Sequence, residues 1–329
     1  MSTVRLVDTF GRVHRDLRIS ITDRCNFRCT YCMPEAGLSW VPRAQVLSYE
    51  EIERVARVCV ERFGFGSIRL TGGEPTVRAH LPVLVGKLAL LGVDLSMTTN
   101  GALLAPTLAA ELAEAGLRRV NISCDSLRPD RFLAITRRDE LDAVLAGIDA
   151  ALAAGLDPVK LNVVCMDGVN DDEVVNFATF GREKGVEVRF IEVMPLDAEH
   201  GWKPASVVPG ERIIATIAAV HPLRPLARGS DPAETWAYLD GRGVVGAIPS
   251  VTAPFCSRCD RVRLTTEGKV RSCLFSLEET DLGAVLRSGG TDDDVAAALS
   301  NCVAGKWAGH AIGSTTFVQP PRSMSRIGG

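Results

Sequence analysis

The chain has 329 residues, with 40 acidic side chains against 37 Lys and Arg and a formal net charge of −3 at pH 7. A charge this close to neutral predicts no general attraction to nucleic acid or to an anionic membrane surface, so an anionic ligand must be met by local basic residues. The N-terminal stretch lacks an apolar signal-peptide core and no apolar run reaches the length of a membrane span, which predicts a cytoplasmic protein.

Short β-rich segments alternate with helical patterns over the first 193 residues. Between them, apolar residues recur at three- and four-residue spacing and the segments often end in Gly, as helices do. Six consecutive βα units predict a parallel sheet with right-handed crossovers, either rolled toward a barrel or open and doubly wound. The six predicted strands cover residues 17–22, 67–71, 94–99, 119–124, 158–166 and 187–193.

The pattern changes after residue 195. From 195 to 250, Pro and Gly are frequent and one helix is predicted over 211–220. A cysteine-rich loop, a hairpin over 261–273, two short helices and a loose end follow. These changes predict two modules, a partial barrel over 1–195 and a C-terminal module over 196–329.

The first cysteine cluster follows the first predicted strand. Cys25, Cys29 and Cys32 form a C-x3-C-x2-C pattern. In a reducing compartment, clustered cysteines are better explained as metal ligands than as disulfides. Three thiolates on a cubane of four irons leave one iron open to a substrate, whereas a structural zinc site needs four ligands. Zinc and unliganded core cysteines remain the alternatives.

A second cysteine cluster lies near the C-terminus. Cys256, Cys259 and Cys273 form C-x2-C-x13-C, again three ligands, and a cubane here would leave an iron free for a heterocycle. The alternative is a zinc ribbon completed by a distant His or by Cys302. The four isolated cysteines lie on apolar patterns and are predicted to be buried small hydrophobic residues: Cys59, Cys124, Cys165 and Cys302.

Unusual motifs follow the predicted strands. TGGEP (71–75), TTNG and SCDS come after strands two, three and four. In an α/β barrel these positions lie on the C-terminal face, where active sites are built. TGGEP taken alone is compatible with an ordinary tight turn. Its glycines would let backbone approach a ligand closely, and Glu74 would supply an anion for a ligand's ammonium group.

Basic residues on the predicted strands indicate a polyanionic ligand. A charged side chain that faces the barrel interior is costly without a partner, although strand alternation could send any one of them to the rim. No phosphate-binding loop of the G-x-x-x-x-G-K-[ST] type is present, so a bound nucleotide is not expected to be hydrolysed as in a GTPase. The basic residues on the strands are Arg18, Arg69, Lys160 and Arg189.

Together these motifs resemble the radical S-adenosylmethionine (SAM) superfamily and, within it, the GTP 3′,8-cyclases of molybdenum-cofactor biosynthesis. The C-x3-C-x2-C loop with an aromatic before its last cysteine and TGGEP are similar to the superfamily signature, and RFIEVMP, FCSRCDRVRLT and the terminal GG are similar to the cyclases. The resemblance runs from about residue 15 to the end. It implies an incomplete (βα)6 barrel of TIM type, as in radical SAM enzymes, with a C-terminal iron–sulfur extension.

The resemblance also implies cofactors and chemistry. Two 4Fe–4S clusters and SAM are expected. Cleavage of SAM would give a 5′-deoxyadenosyl radical, and this radical would abstract the ribose 3′ hydrogen of GTP. The carbon radical would then attack guanine C8 to give (8S)-3′,8-cyclo-7,8-dihydroguanosine 5′-triphosphate. Expected partners are an external electron donor and a downstream cyclic pyranopterin monophosphate synthase, with the enzyme a monomer or homodimer.

Individual positions acquire implied roles from the same resemblance. The first cysteine triplet would hold the SAM-cleaving cluster, and the second would hold the cluster that faces guanine. SAM contacts are implied at Tyr31, Gly73, Glu74, Ser123 and Met194. GTP contacts are implied at Arg18, Arg69, Thr98, Lys160, Arg261, Val262 and Arg263. Catalytic roles are implied for Arg261, Arg263, Gly328 and Gly329, with the double-glycine tail, otherwise predicted to be disordered, inserted toward the active site.

Two other functions compete with the cyclase. A radical SAM peptide-modifying maturase would also carry C-terminal auxiliary clusters, but such enzymes tend to have more C-terminal cysteines and have no need of a GG tail. A non-enzyme alternative is an iron–sulfur electron carrier or a zinc-binding module. Carriers usually close their clusters with four cysteines, and neither triplet has a fourth cysteine nearby.

Overall fold

A computed structural model of the chain describes residues 4–227, 229 and 231–328. Its strands form one twelve-stranded sheet within these residues, in the order β12-β11-β10-β1-β2-β3-β4-β5-β6-β9-β8-β7. The strands are β1 Asp16–Ser20, β2 Ser67–Thr71, β3 Asp94–Thr99, β4 Arg119–Ser123, β5 Val159–Cys165, β6 Glu187–Glu192, β7 Leu223–Pro225, β8 Glu234–Tyr238, β9 Val244–Ile248, β10 Arg261–Leu264, β11 Lys269–Arg271 and β12 Thr280–Asp281.

The six predicted strands are confirmed as β1 to β6, with ends that differ by at most two residues. They pair in parallel in chain order, which is the arrangement that consecutive right-handed βα units produce. Two strands from the last third of the chain extend this parallel set, because β10 pairs with β1 and β9 pairs with β6. Antiparallel strands then finish both edges.

Helices cover the outer face of the sheet. The first begins at a capping box, in which the Ser48 side chain accepts from Glu51 N, and it ends where Gly64 takes a left-handed conformation with φ 69°. The α-helices are α1 Tyr49–Phe63, α2 Leu81–Ala89, α3 Pro106–Glu114, α4 Pro129–Thr136, α5 Leu141–Ala153, α6 Val174–Lys184, α7 Gly210–Ala218, α8 Leu282–Arg287, α9 Asp292–Ala304 and α10 Met324–Ile327. No helix in the described part of the chain is long and apolar enough to cross a bilayer.

Side chains alternate in character along the central strands. Leu17 and Ile19 of β1 and Ile68 of β2 are at most 1 % exposed and pack in the apolar core beneath the helices. The intervening residues point to the other face, where Arg18 is in register with Arg69 on β2 and with Arg263 on β10. Because partners in register on parallel strands share a face, the inner face of the sheet is polar and basic.

The C-terminal third agrees with most of its predicted elements. The predicted hairpin is the antiparallel pair β10–β11, and the predicted helix over 211–220 lies at Gly210–Ala218. The expected loose end is wrong for residues 324–327, which form α10, with Ile327 only 1 % exposed. Since strands from both parts of the chain share one sheet, the division into modules 1–195 and 196–329 stays a prediction.

The isolated cysteines largely match their predicted burial. Cys59, Cys124 and Cys165 are at most 1 % exposed and belong to the main core. Cys302 is only partly buried, although it packs against the same core.

Gly147 on α5 is needed for contact between that helix and the loop after β3. A Cβ at this position would overlap the carbonyl group of Gly101, whereas a Cβ at Gly86 on α2 would meet nothing within 4 Å. We expect Gly147→Ala to destabilise the protein by about 1–3 kcal/mol through overpacking, despite the higher helix propensity of Ala. Gly86→Ala, the matched control, should stabilise it by about 0.5–1 kcal/mol. Anaerobic denaturant unfolding checks both, and equal midpoints for the two variants would contradict the close approach.

Candidate active site

A cavity of about 300 Å³ lies against the inner face of the sheet. Both cysteine triplets line it, although more than 220 residues separate them in sequence. The first triplet is on the loop after β1, and Cys256 and Cys259 are on the connection from β9 to β10, with Cys273 two residues beyond β11. The lining cysteines are Cys25, Cys29, Cys32, Cys256, Cys259 and Cys273.

The first cysteine loop packs directly on the TGGEP turn. Gly73 N donates to the carbonyl O of Thr22 at 2.7 Å, and Glu74 N donates to the carbonyl O of Arg24 at 2.8 Å. A Cβ at Gly73 would overlap that Arg24 carbonyl group. The glycine therefore permits contact between two backbones, and the turn fixes the position at which the cysteine loop begins.

Burial controls the protonation of the first triplet. Burial raises the pKa of Cys25 to about 12 and the pKa of Cys32 to about 11, and it also raises the pKa of Cys29 well above the usual value of a thiol. Phe27 N lies 3.4 Å from Cys25 Sγ and is placed to donate to it. The thiols are therefore protonated in the chain alone, and metal binding must displace those protons.

Glu74 is buried among hydrogen-bond donors. Its Oε1 accepts from Thr76 Oγ1 and from Thr99 Oγ1, each at 2.7 Å, and its Oε2 accepts from Asn100 N at 2.6 Å. Burial raises its pKa, and these hydrogen bonds oppose that rise. Glu74 also lines the cavity, so the carboxylate joins the loops after β2 and β3 at the cavity wall.

Asp125 was not predicted as a site residue, yet it lines the cavity beside the first triplet. Tyr31 Oη donates to Asp125 Oδ2 at 2.6 Å, and Val164 N donates to Oδ1 at 2.8 Å. Burial raises the pKa of Asp125 to about 6. Asp125 follows β4 in the SCDS motif, which is predicted to lie on the C-terminal face of the barrel, so its position was a signal that could have identified it.

Four arginines from neighbouring strands meet in the cavity: Arg18, Arg69, Arg261 and Arg263. Asp16 Oδ2 lies 3.5 Å from Arg18 Nε and 3.9 Å from Arg261 Nε, and one carboxylate cannot balance four guanidinium groups. Arg18 Nε is buried without a hydrogen-bond partner among the described residues. Burial and the neighbouring arginines lower the pKa of Arg18, which indicates a site that needs an anion.

Two other predicted basic residues already have acidic partners. Arg189 lines the cavity and binds Asp231 through two hydrogen bonds of 3.0 and 2.8 Å. Lys160 Nζ lies 3.5 Å from Glu187 Oε2 and 3.9 Å from Asp231 Oδ2, and Lys160 is not a lining residue. An incoming polyanion would therefore compete with Asp231 at this end of the cavity.

The other predicted contacts divide into two groups. Thr98, Ser123 and Met194 line the cavity together with Tyr31 and Gly73. Val262 does not, because strand alternation turns its side chain into the apolar core, where it is 0 % exposed. Only the backbone of Val262, between Arg261 and Arg263, could therefore face a ligand.

The chain tail reaches the inner face of the sheet. Arg263 Nη1 donates to the carbonyl O of Gly328 at 2.7 Å. Gly328 has φ +85°, and a Cβ there would lie 2.5 Å from Thr71 Oγ1 and 2.9 Å from Ser20 Cβ. A residue with a Cβ would not fit between Thr71 and Ser20 at this position. Gly329, the other predicted tail residue, lies outside the described residues.

The second triplet is held by residues from the N-terminus. Arg12, which was not predicted, donates to the carbonyl O atoms of Cys256, Trp307 and Ala308 at 2.6–2.9 Å. His310 also lines the cavity, but its Nε2 bonds to Ser250 O and its Nδ1 accepts from Ile312 N. Both ring nitrogens are therefore occupied, and His310 is a poor candidate for a fourth metal ligand.

The donor sets fit iron–sulfur cubanes better than single ions. Among residues 4–227, 229 and 231–328, no group of three or more His, Cys, Asp or Glu side chains is arranged to hold one metal ion. A cubane instead takes one thiolate per iron, so its cysteines surround a volume. In each triplet the three cysteines are partly buried and line the cavity, which is consistent with that requirement.

Comparisons with known proteins identify the family to which the chain belongs. Residues 19–181 match the family model of the radical SAM superfamily, and residues 186–312 match that of Molybdenum Cofactor Synthesis C. A GTP 3′,8-cyclase of Streptomyces coelicolor is 49 % identical over 98 % of this chain and 96 % of its own length. GTP 3′,8-cyclase 2 of Mycobacterium tuberculosis is 49 % identical over 100 % of this chain and 93 % of its own length.

Solved structures extend the likeness at the level of fold. The structure of Streptococcus suis SuiB bound to S-adenosylmethionine superposes with a TM-score of 0.60 over 84 % of this chain and 66 % of SuiB, at 14 % identity. At so low an identity the superposition shows the shared fold alone. It agrees with the parallel sheet and the C-terminal extension described above.

Proposed function

The chain belongs to the GTP 3′,8-cyclases, radical SAM enzymes of molybdenum-cofactor biosynthesis, and on that basis we propose which of its residues bind each reactant. Membership of the family makes GTP the substrate and gives the protein SAM and a 4Fe–4S cluster. The residue assignments below rest on the cavity and its charges.

Cys25, Cys29 and Cys32 hold the cluster that binds SAM. When bound, the cluster supplies the electron that cleaves SAM to a 5′-deoxyadenosyl radical. Support comes from the three thiols at the cavity wall and from the unfilled fourth position that the triplet leaves. The residues proposed to orient SAM are Tyr31, Gly73, Glu74, Ser123 and Met194.

Glu74 and Tyr31 have distinct tasks in this proposal. The buried Glu74 carboxylate supplies negative charge for the SAM ammonium while Thr99 and Asn100 keep it in place. Tyr31 is fixed by its hydrogen bond to Asp125, so its ring forms a rigid wall beside the cysteines. Both residues position SAM rather than transfer protons.

GTP binds between the two triplets with its triphosphate toward the arginines. Support comes from the excess positive charge and from Arg18 Nε, which lies 3.5 Å from Asp16 but has no hydrogen-bond partner among the described residues, since guanidinium groups bind phosphate oxygens through paired hydrogen bonds. The proposed contacts are Arg18, Arg69, Thr98, Lys160, Arg261, Val262 and Arg263, with Val262 acting through its backbone.

Cys256, Cys259 and Cys273 hold a second 4Fe–4S cluster, and the guanine base faces it. In this arrangement the reactants lie in one enclosed space, where protein groups set their orientation and exclude water. Residues 1–195 then supply the SAM site and part of the GTP site, and residues 196–329 supply the second cluster and the remaining GTP contacts. Gly328 keeps the Arg263 guanidinium in place through its carbonyl O, and a catalytic role is proposed for Gly328 and Gly329.

An external reductant and a downstream synthase complete the proposal. The first cluster must receive an electron for each turnover, which requires an external electron donor. The cyclised nucleotide is a substrate for further rearrangement, which a cyclic pyranopterin monophosphate synthase would perform.

One observation carries these assignments: both cysteine triplets and four arginines line the same cavity. The test is iron and sulfide analysis of anaerobically reconstituted protein. We expect about eight iron atoms per chain in the parent, and about four after Ala substitution of all three cysteines in either triplet. Cys302→Ala, the matched control, should keep the parent value. Bound zinc, or full iron content after loss of the second triplet, would refute the second cluster.

A further inference from the structure

A buried lysine contacts the second cysteine triplet from outside the cavity. Lys306 follows α9 and is 4 % exposed. Its Nζ lies 3.5 Å from Cys259 Sγ, 3.3 Å from the Cys259 carbonyl O and 3.0 Å from the Arg261 carbonyl O. One ammonium group thus touches both the sulfur and the backbone of this cysteine.

The lysine is oriented by a pair of buried residues from the N-terminus. Lys306 Nζ lies 3.5 Å from His14 Nδ1, and His14 Nε2 lies 3.1 Å from Asp8 Oδ2. His14 is 0 % exposed and Asp8 is 6 % exposed. Because Nδ1 accepts from the ammonium group, Nε2 carries the proton and donates to Asp8, which fixes the ring.

The buried ammonium group of Lys306 has no carboxylate beside it in the described part of the chain. Burying an ammonium group is costly unless an opposite charge is close. Within residues 4–227, 229 and 231–328, no carboxylate lies within ion-pair distance of Lys306, and Asp8 is reached only through His14. The Cys259 sulfur is the group that would supply negative charge once it binds iron as a thiolate.

We propose that Lys306, oriented by His14 and Asp8, is a positioning residue for the second cluster, and that its charge stabilises the reduced form. This inference rests on the proposed cluster at Cys256, Cys259 and Cys273. Reduction adds a negative charge to the cluster, and a fixed positive charge and a hydrogen bond at a ligand sulfur both favour that state. Lys306 thereby raises the reduction potential of this cluster and holds Cys259 in place.

The experiment isolates the second cluster in the full-length chain. Ala at all three positions of the first triplet leaves one cluster, whose EPR signal is followed during an anaerobic redox titration. Lys306→Met should move the midpoint to a more negative potential and change the EPR line shape. Lys306→Arg, which keeps the charge, should remain nearer the parent. Lys269→Met is the control, because Lys269 pairs with Asp281 on the neighbouring hairpin.

A second variant covers the case in which Lys306→Met does not fold. His14→Gln leaves the lysine in place but removes its ring support, and it should give a smaller shift in the same direction. If Lys306→Met folds and binds iron but keeps the parent midpoint potential and the parent EPR spectrum, the inference is wrong and the proposed cluster still stands. If Lys306→Met does not fold, the same result in His14→Gln decides in the same way. Absence of a cluster from the parent background would instead overturn the proposed cluster and this inference together.

Discussion

Cys25→Ala is expected to abolish both 5′-deoxyadenosine and the cyclised nucleotide, whereas Cys256→Ala is expected to abolish only the nucleotide product. The first triplet is proposed to bind the cluster that cleaves SAM, so without it no radical forms. The second triplet is proposed to face guanine, so its loss leaves SAM cleavage possible but uncoupled from cyclisation. The two cysteines line one cavity, yet their variants should lose different products.

The measurement is an anaerobic single-turnover assay with dithionite, SAM and GTP, in which the small-molecule products are identified by mass spectrometry. Cys165→Ala serves as the control, since Cys165 is buried in the core away from the cavity and should retain both products. If Cys256→Ala gave the parent yield of cyclised GTP, the second triplet would have no part in the reaction. If it also lost 5′-deoxyadenosine, SAM cleavage would depend on the second site.

Arg263→Met should lower kcat/KM for GTP by on the order of a hundredfold or more. Arg263 is buried in the cavity and also holds the Gly328 carbonyl O, so the substitution removes a proposed phosphate contact and releases the chain tail together. Burial lowers the pKa of Arg263 to about 10, which still leaves the group charged near neutral pH. The loss should therefore be almost independent of pH between 6 and 8.

Arg258→Met is the matched control for this prediction. Arg258 belongs to the cysteine-rich loop that leads into β10, but it is exposed and does not line the cavity. It should keep the parent kcat/KM, and SAM cleavage without GTP should be unchanged in both variants. Comparable activity in Arg258→Met and Arg263→Met would remove Arg263 from the proposed GTP site.

Local patterns in the sequence were sufficient to predict the six central strands of the barrel. Strands β1 to β6 are short β-rich segments that lie between stretches with apolar residues at three- and four-residue spacing, so each βα unit can be recognised from its own residues. The pairing of β1 with β10 has no such signal, because Asp16 and Arg261 are 245 positions apart and nothing local specifies a parallel partner at that distance. Sheet order at the edges is a tertiary property.

The site was predictable where the chemistry is carried by side-chain type and spacing. Cysteine triplets and strand arginines stand out in a sequence, and the cavity brings most of them together. Asp231 and Lys306 do not stand out in the sequence. Asp231 is a loop residue that accepts hydrogen bonds from Arg189, and Lys306 is a single lysine that follows a helix. Their importance depends on contacts that only the folded chain creates.

The pairing of the first strand with a strand near the C-terminus also has a consequence for synthesis of the protein. During translation at roughly 5–20 residues per second, β1 emerges on the order of ten to fifty seconds before β10. For that interval the nascent barrel has an open edge beside the first cysteine loop, and an unpaired edge strand invites aggregation. The edge of β1, beside the first cysteine loop, is therefore covered only when β10 has been made and pairs with it.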